Sequence, residues 1–426
     1  MPRPIRTSRP AALPALALAA FVAIACASGA GATDPRWPAT RTGIMPFSDQ
    51  FGQVTDAQLR FAATHFAGVQ KMTASQTAVL KAANPAFIVL NYRLGNGIGI
   101  DTLIVEGDRW VPEYPGDAAL QEQWFWHDPA TGRRVVNTDW GWYLMNVGDA
   151  GWRAWYHDTV LAQLRMNGND GVFLDSINVP NFLGAAEAWE PDLPAYDPPF
   201  EAMWTEMIRG HIAYLAGHEL GRYLLVPNVG GWINGREDMS YFDEADGVWV
   251  EGFALWGDDA PLPEGDWQLQ LNRVLRATRN GQAVITQSYV DGDRARTFAT
   301  GSFLLAKGDH SYIILQGGAA MDWPAQYEIP IGAPVDRPAG DIRTYDPDGD
   351  GVYVRQFDNA TVYVNARGPD DGGRRVSIQT AGWLALAEGS GRVEVDGSEA
   401  SAVGYRQVDR IELDPISAAI VFRARP

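Results

Sequence analysis

Two stretches of the 426-residue chain carry the same pattern. Asp170-Gly171-Val172-Phe173-Leu174-Asp175-Ser176 is echoed by Asp246-Gly247-Val248-Trp249-Val250-Glu251-Gly252. Each reads Asp-Gly-Val, two apolar residues, a carboxylate and a small residue. A short apolar run bounded by polar residues fits a buried strand. Asp175 and Glu251 would then stand at the C-terminal ends of their strands. Two carboxyl groups over one cleft can cleave a glycosidic bond. One, protonated, gives its proton to the leaving oxygen; the other attacks the anomeric carbon or activates water. A strand-end carboxylate can also cap the helix that follows, and Asp175 alone would fit that role. The matched pair is what turns the reading toward chemistry.

The elements around them follow an alternating α/β rhythm. Strand candidates are Gly43–Phe47, Ala67–Lys71, Phe87–Tyr92, Gly171–Asp175, Tyr223–Pro227, Gly247–Glu251, Ala283–Ser288 and Ser311–Leu315. Helix candidates fall between them, near 55–65, 74–83, 150–166, 199–219, 264–279 and 293–306. Thr55-Asp56-Ala57-Gln58 and Thr73-Ala74-Ser75-Gln76 fit capping boxes. Eight strands alternating with helices predict a (β/α)8 TIM barrel over residues 33–330, with a doubly wound open sheet as the alternative. Gly95-Asn96-Gly97-Ile98-Gly99 lacks the dinucleotide-binding spacing. Asp175 and Glu251 would end the fourth and sixth strands, about 10 Å apart at the backbone. That range admits both retaining and inverting geometry.

Other strand ends carry groups suited to sugar hydroxyls: Asp49, Asn91, Arg93, Asn228, Gln287 and Tyr289. Each could instead be a helix cap or a loop hydrogen bond; Asn228 and Tyr289 sit nearest the pair. Trp232 and Trp256 are candidate stacking platforms or core residues. The irregular, Trp-rich segment 93–148 would leave the barrel's C-terminal face, where active sites are built. After Pro324, Pro330, Pro334 and Pro338 the period changes to strict alternation. Short strands with Gly/Asp turns predict a small all-β, sandwich-like domain at 335–426.

Composition narrows the partners. There are 34 Lys+Arg against 52 Asp+Glu, a net charge of −18, and no basic run. That argues against nucleic acid and anionic lipid surfaces. Residues 1–32 read as a secretory signal: Arg3, Arg6 and Arg9 precede an apolar stretch too short for a stable transmembrane helix. Cys26, the single cysteine, ends that stretch as in a lipoprotein signal, where it would carry lipid. Cleavage after Ala30-Gly31-Ala32 is the rival. Either way the chain is expected to work outside a bacterial cytoplasm, touching a membrane only through such an anchor. One cysteine excludes a disulfide framework. No H-E-x-x-H, G-x-S-x-G or P-loop is present, and Asp346, Asp348 and Asp350 read as a turn rather than a calcium loop. No cofactor or metal is expected.

The segments Gly171–Asp175 with Glu251, Tyr143-Leu144-Met145-Asn146 before Gly151-Trp152-Arg153, and Phe357–Asn365 resemble hypothetical glycosyl-hydrolase-like family 15 over residues 40–425. More distantly they resemble the endo-α-1,4-polygalactosaminidases of glycoside hydrolase family 114. The resemblance implies a TIM barrel with an accessory β-domain, Asp175 as nucleophile or base and Glu251 as acid/base. It supplies no sugar. Two rivals stand beside a hydrolase: a non-catalytic glycan-binding surface protein, and a lyase or transglycosylase.

Overall fold

The computed structural model describes residues 36–182, 188–194, 197–233, 242–316 and 321–426; the leader and Cys26 lie outside them. Helix starts follow from their caps. In α1 (Asp56–His65) and α2 (Ala74–Ala83), Thr55 and Thr73 each form a reciprocal capping box with Gln58 and Gln76. Asp149 caps α3 (Ala150–Asn167) by accepting from the Gly151 and Trp152 amides, and Gly168 ends it in the left-handed conformation. Asp197 caps α4 (Pro198–Gly217) ahead of a helix-starting proline. α5 (Glu264–Arg279) and α6 (Asp293–Ala306) complete six α-helices among the described residues.

Between them run parallel strands: β1 (Gly68–Gln70), β2 (Ile88–Leu94), β3 (Gly171–Asp175), β4 (Leu224–Pro227), β5 (Gly247–Glu251), β6 (Ala283–Ser288) and β7 (Ser311–Leu315). Their regular ladders make two sheets, β1-β2-β3-β4 and β5-β6-β7, rather than one closed sheet of eight. Two sets of single bridges lie between the sheets. Asn228 bridges Trp249, while Pro46 bridges Ile313 and Ser48 bridges Val69. The expected first strand, Gly43–Phe47, is thus present only as isolated bridges.

Strand side chains alternate between two cores. Phe47, Leu90, Phe173, Val226, Trp249, Ile285 and Ile314 share one cluster drawn from both sheets. Val89, Val172, Leu225, Val248, Val284 and Ile313 pack in the other, with helix residues such as Leu80, Leu164 and Leu271. Period two makes this obligatory: each one-residue step sends the side chain to the opposite face. Two residues beyond the last apolar member, the first row turns polar, at Asp49, Tyr92, Asp175, Asn228, Glu251 and Gln287.

The C-terminal strands β8 (Val352–Gln356), β9 (Ala360–Asn365), β10 (Val376–Ala387), β11 (Val403–Leu413) and β12 (Ser417–Phe422) form one antiparallel sheet, ordered β8-β9-β12-β10-β11. A two-stranded ribbon, Asp322–Pro324 with Ser390–Arg392, lies beside it. The sandwich expected here is therefore a single sheet whose second layer is a helix. One face, with Val362, Val364 and Phe422, joins the main core. The other carries its own cluster of Val352, Ile411, Leu413 and Val421. Gly301 of α6 permits the close approach, since a Cβ there would lie 2.6 Å from Ala418. Every residue from Phe298 to Ala306 is buried.

Arg355 fastens this sheet to α6. Its buried guanidinium donates to the carbonyls of Leu304 (2.9 Å), Leu305 (2.9 Å) and Lys307 (2.8 Å) at the helix end, and to the Asp336 carboxylate (3.0 Å). A cation suits a helix C-terminus; the Leu304 carbonyl also accepts from the Lys307 amide at 3.4 Å, while those of Leu305 and Lys307 rely on the guanidinium. Arg355→Ala should lower unfolding free energy by about 1–3 kcal/mol, the cost of leaving buried carbonyls unpaired, measured by urea denaturation. Arg355→Lys should recover only part of it, because one ammonium cannot reproduce the planar fork.

Candidate active site

β3 and β5 deliver Asp175 and Glu251 to the same side, and the strand between them supplies the link. The Asn228 side-chain amide, just past β4, donates to Asp175 Oδ1 at 2.8 Å and to Glu251 Oε2 at 2.7 Å. One nitrogen reaches both carboxylates, so their nearest oxygens lie no more than about 5.5 Å apart and the two groups share one cleft. Asp175 also accepts from Tyr92 Oη at 2.7 Å and from the Ser176 amide at 2.8 Å. Tyr289 Oη donates to Glu251 Oε1.

The residue after each carboxylate is left-handed: Ser176 has φ +53° and Gly252 φ +68°. The small residue in the repeated motif therefore lets each chain turn off its strand. At Gly252 there is a second reason. A Cβ would come within 2.2 Å of the Trp256 ring. That ring is 46% exposed and lies nearly parallel to Tyr289, 6.4 Å between centroids and 11° between planes. Trp256 thus offers a flat apolar face beside Glu251.

Burial raises the Glu251 carboxyl above the usual range, and the Asp175 charge adds to it; the Tyr289 and Asn228 hydrogen bonds oppose. The Tyr92 hydroxyl is raised too, by burial first and then by Asp175. Asp49 faces the same cluster and is paired with Lys71 Nζ at 3.0 and 3.1 Å and with Gln70 Nε2 at 2.5 Å. The Lys71 ammonium lies 5.0 Å from the Tyr92 ring centroid. Gln287 is buried and accepts from Trp249 Nε1 at 2.8 Å. Among the described residues no group of three His, Cys, Asp or Glu side chains converges to hold a metal ion.

The model of the hypothetical glycosyl hydrolase family 15 matches residues 81–361, well over half of the chain. The chain belongs to that family. No curated protein matches it. Among solved structures, a maltogenic α-amylase, AmyB, from Thermotoga neapolitana aligns with TM-score 0.41 and 8% identity, over 89% of this chain and 99% of that one. An α-amylase from Malbranchea cinnamomea gives 0.41 and 11%, over 89% and 96%. A cycloisomaltooligosaccharide glucanotransferase from Paenibacillus gives 0.38 and 12%; the chain spans 91% of itself and 55% of that enzyme. Scores this low carry neither fold detail nor activity across.

Of the residues singled out in this family member's sequence, Asp175, Glu251, Asn228, Tyr289 and Asp49 come together, with Trp256 at the edge and Gln287 beneath. Asn91, Arg93 and Trp232 do not join them. Asn91 and Arg93 are one residue out of phase with the polar row and face the helices. Asn91 donates to Asn169 at 3.4 Å. Arg93 is buried beside Glu113, 3.4 Å away, whose carboxylate also accepts from the Leu94 and Gly99 amides. That pair pins the long excursion to β2. Trp232 is 5% exposed and belongs to the core. Tyr92 and Lys71 were missed. Strand parity would have found Tyr92, two residues after the inward Leu90. The contact of Lys71 depends on its own left-handed backbone, φ +63°, which its sequence does not announce.

The raised Glu251 group gives a stability test. Folding favours its protonated form, so its contribution is full below the ordinary value of 4.5 and is lost as pH rises through the higher folded-state value. Glu251→Gln cannot ionise. Its melting temperature should exceed the wild type's at pH 8, and the gap should close by about pH 4.

Proposed function

We propose that this protein is an exported glycosidase that cleaves O-glycosidic bonds of an oligo- or polysaccharide with retention, on a closed (β/α)8 barrel. The observation that carries the reading is the Asn228 amide held by both carboxylates. Nearest oxygens no more than about 5.5 Å apart favour direct attack on the anomeric carbon over an inverting pair, whose carboxyl groups stand about 6.5–9.5 Å apart to hold a water. The bridges at Pro46, Ser48 and Asn228, and the single apolar cluster drawing on both sheets, support closure of the barrel.

In the first step Asp175, the carboxylate with three donors on its oxygens, attacks the anomeric carbon and forms a glycosyl ester. Glu251, whose protonated form is favoured by burial and then by its neighbour's charge, gives its proton to the departing oxygen. Neutralising Asp175 removes part of what raises Glu251, so Glu251 is then better able to take a proton from the incoming water. That water attacks the anomeric carbon, and Asp175 leaves as carboxylate. Asn228 steadies both groups, and Trp256 supplies a face for a sugar ring.

Asp175→Asn and Glu251→Gln should each lower kcat by at least about a thousandfold with folding intact. Proton NMR of fresh product should show the substrate's anomeric configuration. Turnover near wild type in either variant would remove that residue's role, and inverted product would remove the retaining scheme. Tyr289→Phe takes away a bond that lowers the Glu251 pKa, so the basic limb of kcat/KM should move to higher pH.

Export rests on the basic start and apolar stretch of residues 1–25; among the described residues no helix is long and apolar enough to cross a membrane. The intact mass of the mature protein separates a lipid-bearing Cys26 from an N-terminus at Thr33.

A further inference from the structure

Beside the carboxylate cluster lies a cavity of about 380 Å³, walled by Trp110, Gln50, Gln53, Thr73, Gln76 and Lys71. Lys71 belongs to both places: it lines the cavity, and its ammonium pairs with Asp49 and lies against Tyr92, whose hydroxyl reaches Asp175. Trp110 is 50% exposed, so its indole is open to a ligand. It stands on a hairpin, Leu103–Glu106 with Arg109–Pro112, whose turn is tied down at three points. Ala74 N donates to Gly107 O at 2.9 Å, Ser75 N to Asp108 Oδ1 at 2.8 Å, and Gly107 N to Asn167 Oδ1 at 2.6 Å. The hairpin that carries Trp110 is therefore anchored rather than loose.

We propose that this cavity is a second saccharide-binding position, taking a neutral pyranose unit of the same chain whose scissile bond lies between Asp175 and Glu251. The inference rests on the glycosidase reading. A pyranose presents an apolar C–H face, which an indole matches, and a rim of hydroxyls, which amides match. Among the described residues, the Gln50 and Gln53 side-chain amides make no hydrogen bond within the protein and so are free for those hydroxyls. No carboxylate lines the cavity, and the charge of Lys71 is already met by Asp49. The lining thus suits a neutral sugar over a uronate. Filling this position together with the cleft requires a chain of several units, so the preferred substrate is an oligo- or polysaccharide rather than a small glycoside.

The test uses reducing-end-labelled malto-, cello- and galacto-oligosaccharides of two to six units. For whichever series the wild type cleaves, kcat/KM is measured against length for wild type, Trp110→Ala and Trp140→Ala. Trp140, 67% exposed on the same excursion, does not line the cavity and serves as control. Trp110→Ala should lower the ratio of long-chain to short-chain kcat/KM by about tenfold or more; Trp140→Ala should leave it unchanged. Should Trp110→Ala misfold, Gln53→Ala should lower the same ratio in the same direction. An unchanged ratio in the cavity variants, with the wild type active, overturns the second position and leaves the glycosidase standing. If the wild type cleaves nothing, binding of the six-unit probes by calorimetry decides. Binding that Trp110→Ala weakens supports the position while the hydrolase reading falls; equal binding, or none by the wild type, overturns the position.

Discussion

Two carboxylates held by a single amide repel each other, and much of the surrounding structure offsets that repulsion. Asn228 supplies both amide hydrogens, the Tyr92 and Tyr289 hydroxyls face one carboxylate each, and the Ser176 amide turns back onto Asp175. Burial first, and then what remains of the repulsion, raises Glu251. The same interaction thus sets the distance between the groups and makes them unlike, one a standing acceptor and the other a proton carrier. Neither effect survives if the intervening strand slips by one residue, because Asn228 would then face the helices and an apolar neighbour would take its place.

Much of the molecule was readable because local signals agreed with the final packing. The capping boxes at Thr55 and Thr73 located their helices, and Gly171–Asp175 and Gly247–Glu251 were read with the boundaries they have. The repeated motif pointed to the carboxylates because its parts answer separate demands: apolar residues for burial, a carboxylate at the last inward step, and a small residue for the turn. What failed was parity. Asn91 and Arg93 looked suitable by residue type, yet the residue between them, Tyr92, is the one on the inward row. Polar side chains at strand ends cannot be sorted by type alone; the alternation from Leu90 onward must be counted.

The regions where sequence said least are those held by long-range contacts. Glu113 is buried in an excursion that shows no clear period, and its purpose emerges only with Arg93 and the Leu94 and Gly99 amides around it. The C-terminal strands were legible singly, but their alternation does not say what covers each face. A second sheet was the natural expectation. The cover is α6, and the sign of it lay in a helix without a polar side.

That helix bears on how such a chain can be taken apart. α6 is walled by the parallel strands on one flank and the antiparallel sheet on the other, and its last turn ends on a guanidinium from that sheet. The C-terminal region therefore has no seam at the proline-rich connection. A gene rearrangement that moved it to another protein would leave an apolar helix face bare in the donor and the Leu305 and Lys307 carbonyls without partners. The two parts have to be inherited together, and substitutions in one are constrained by the other.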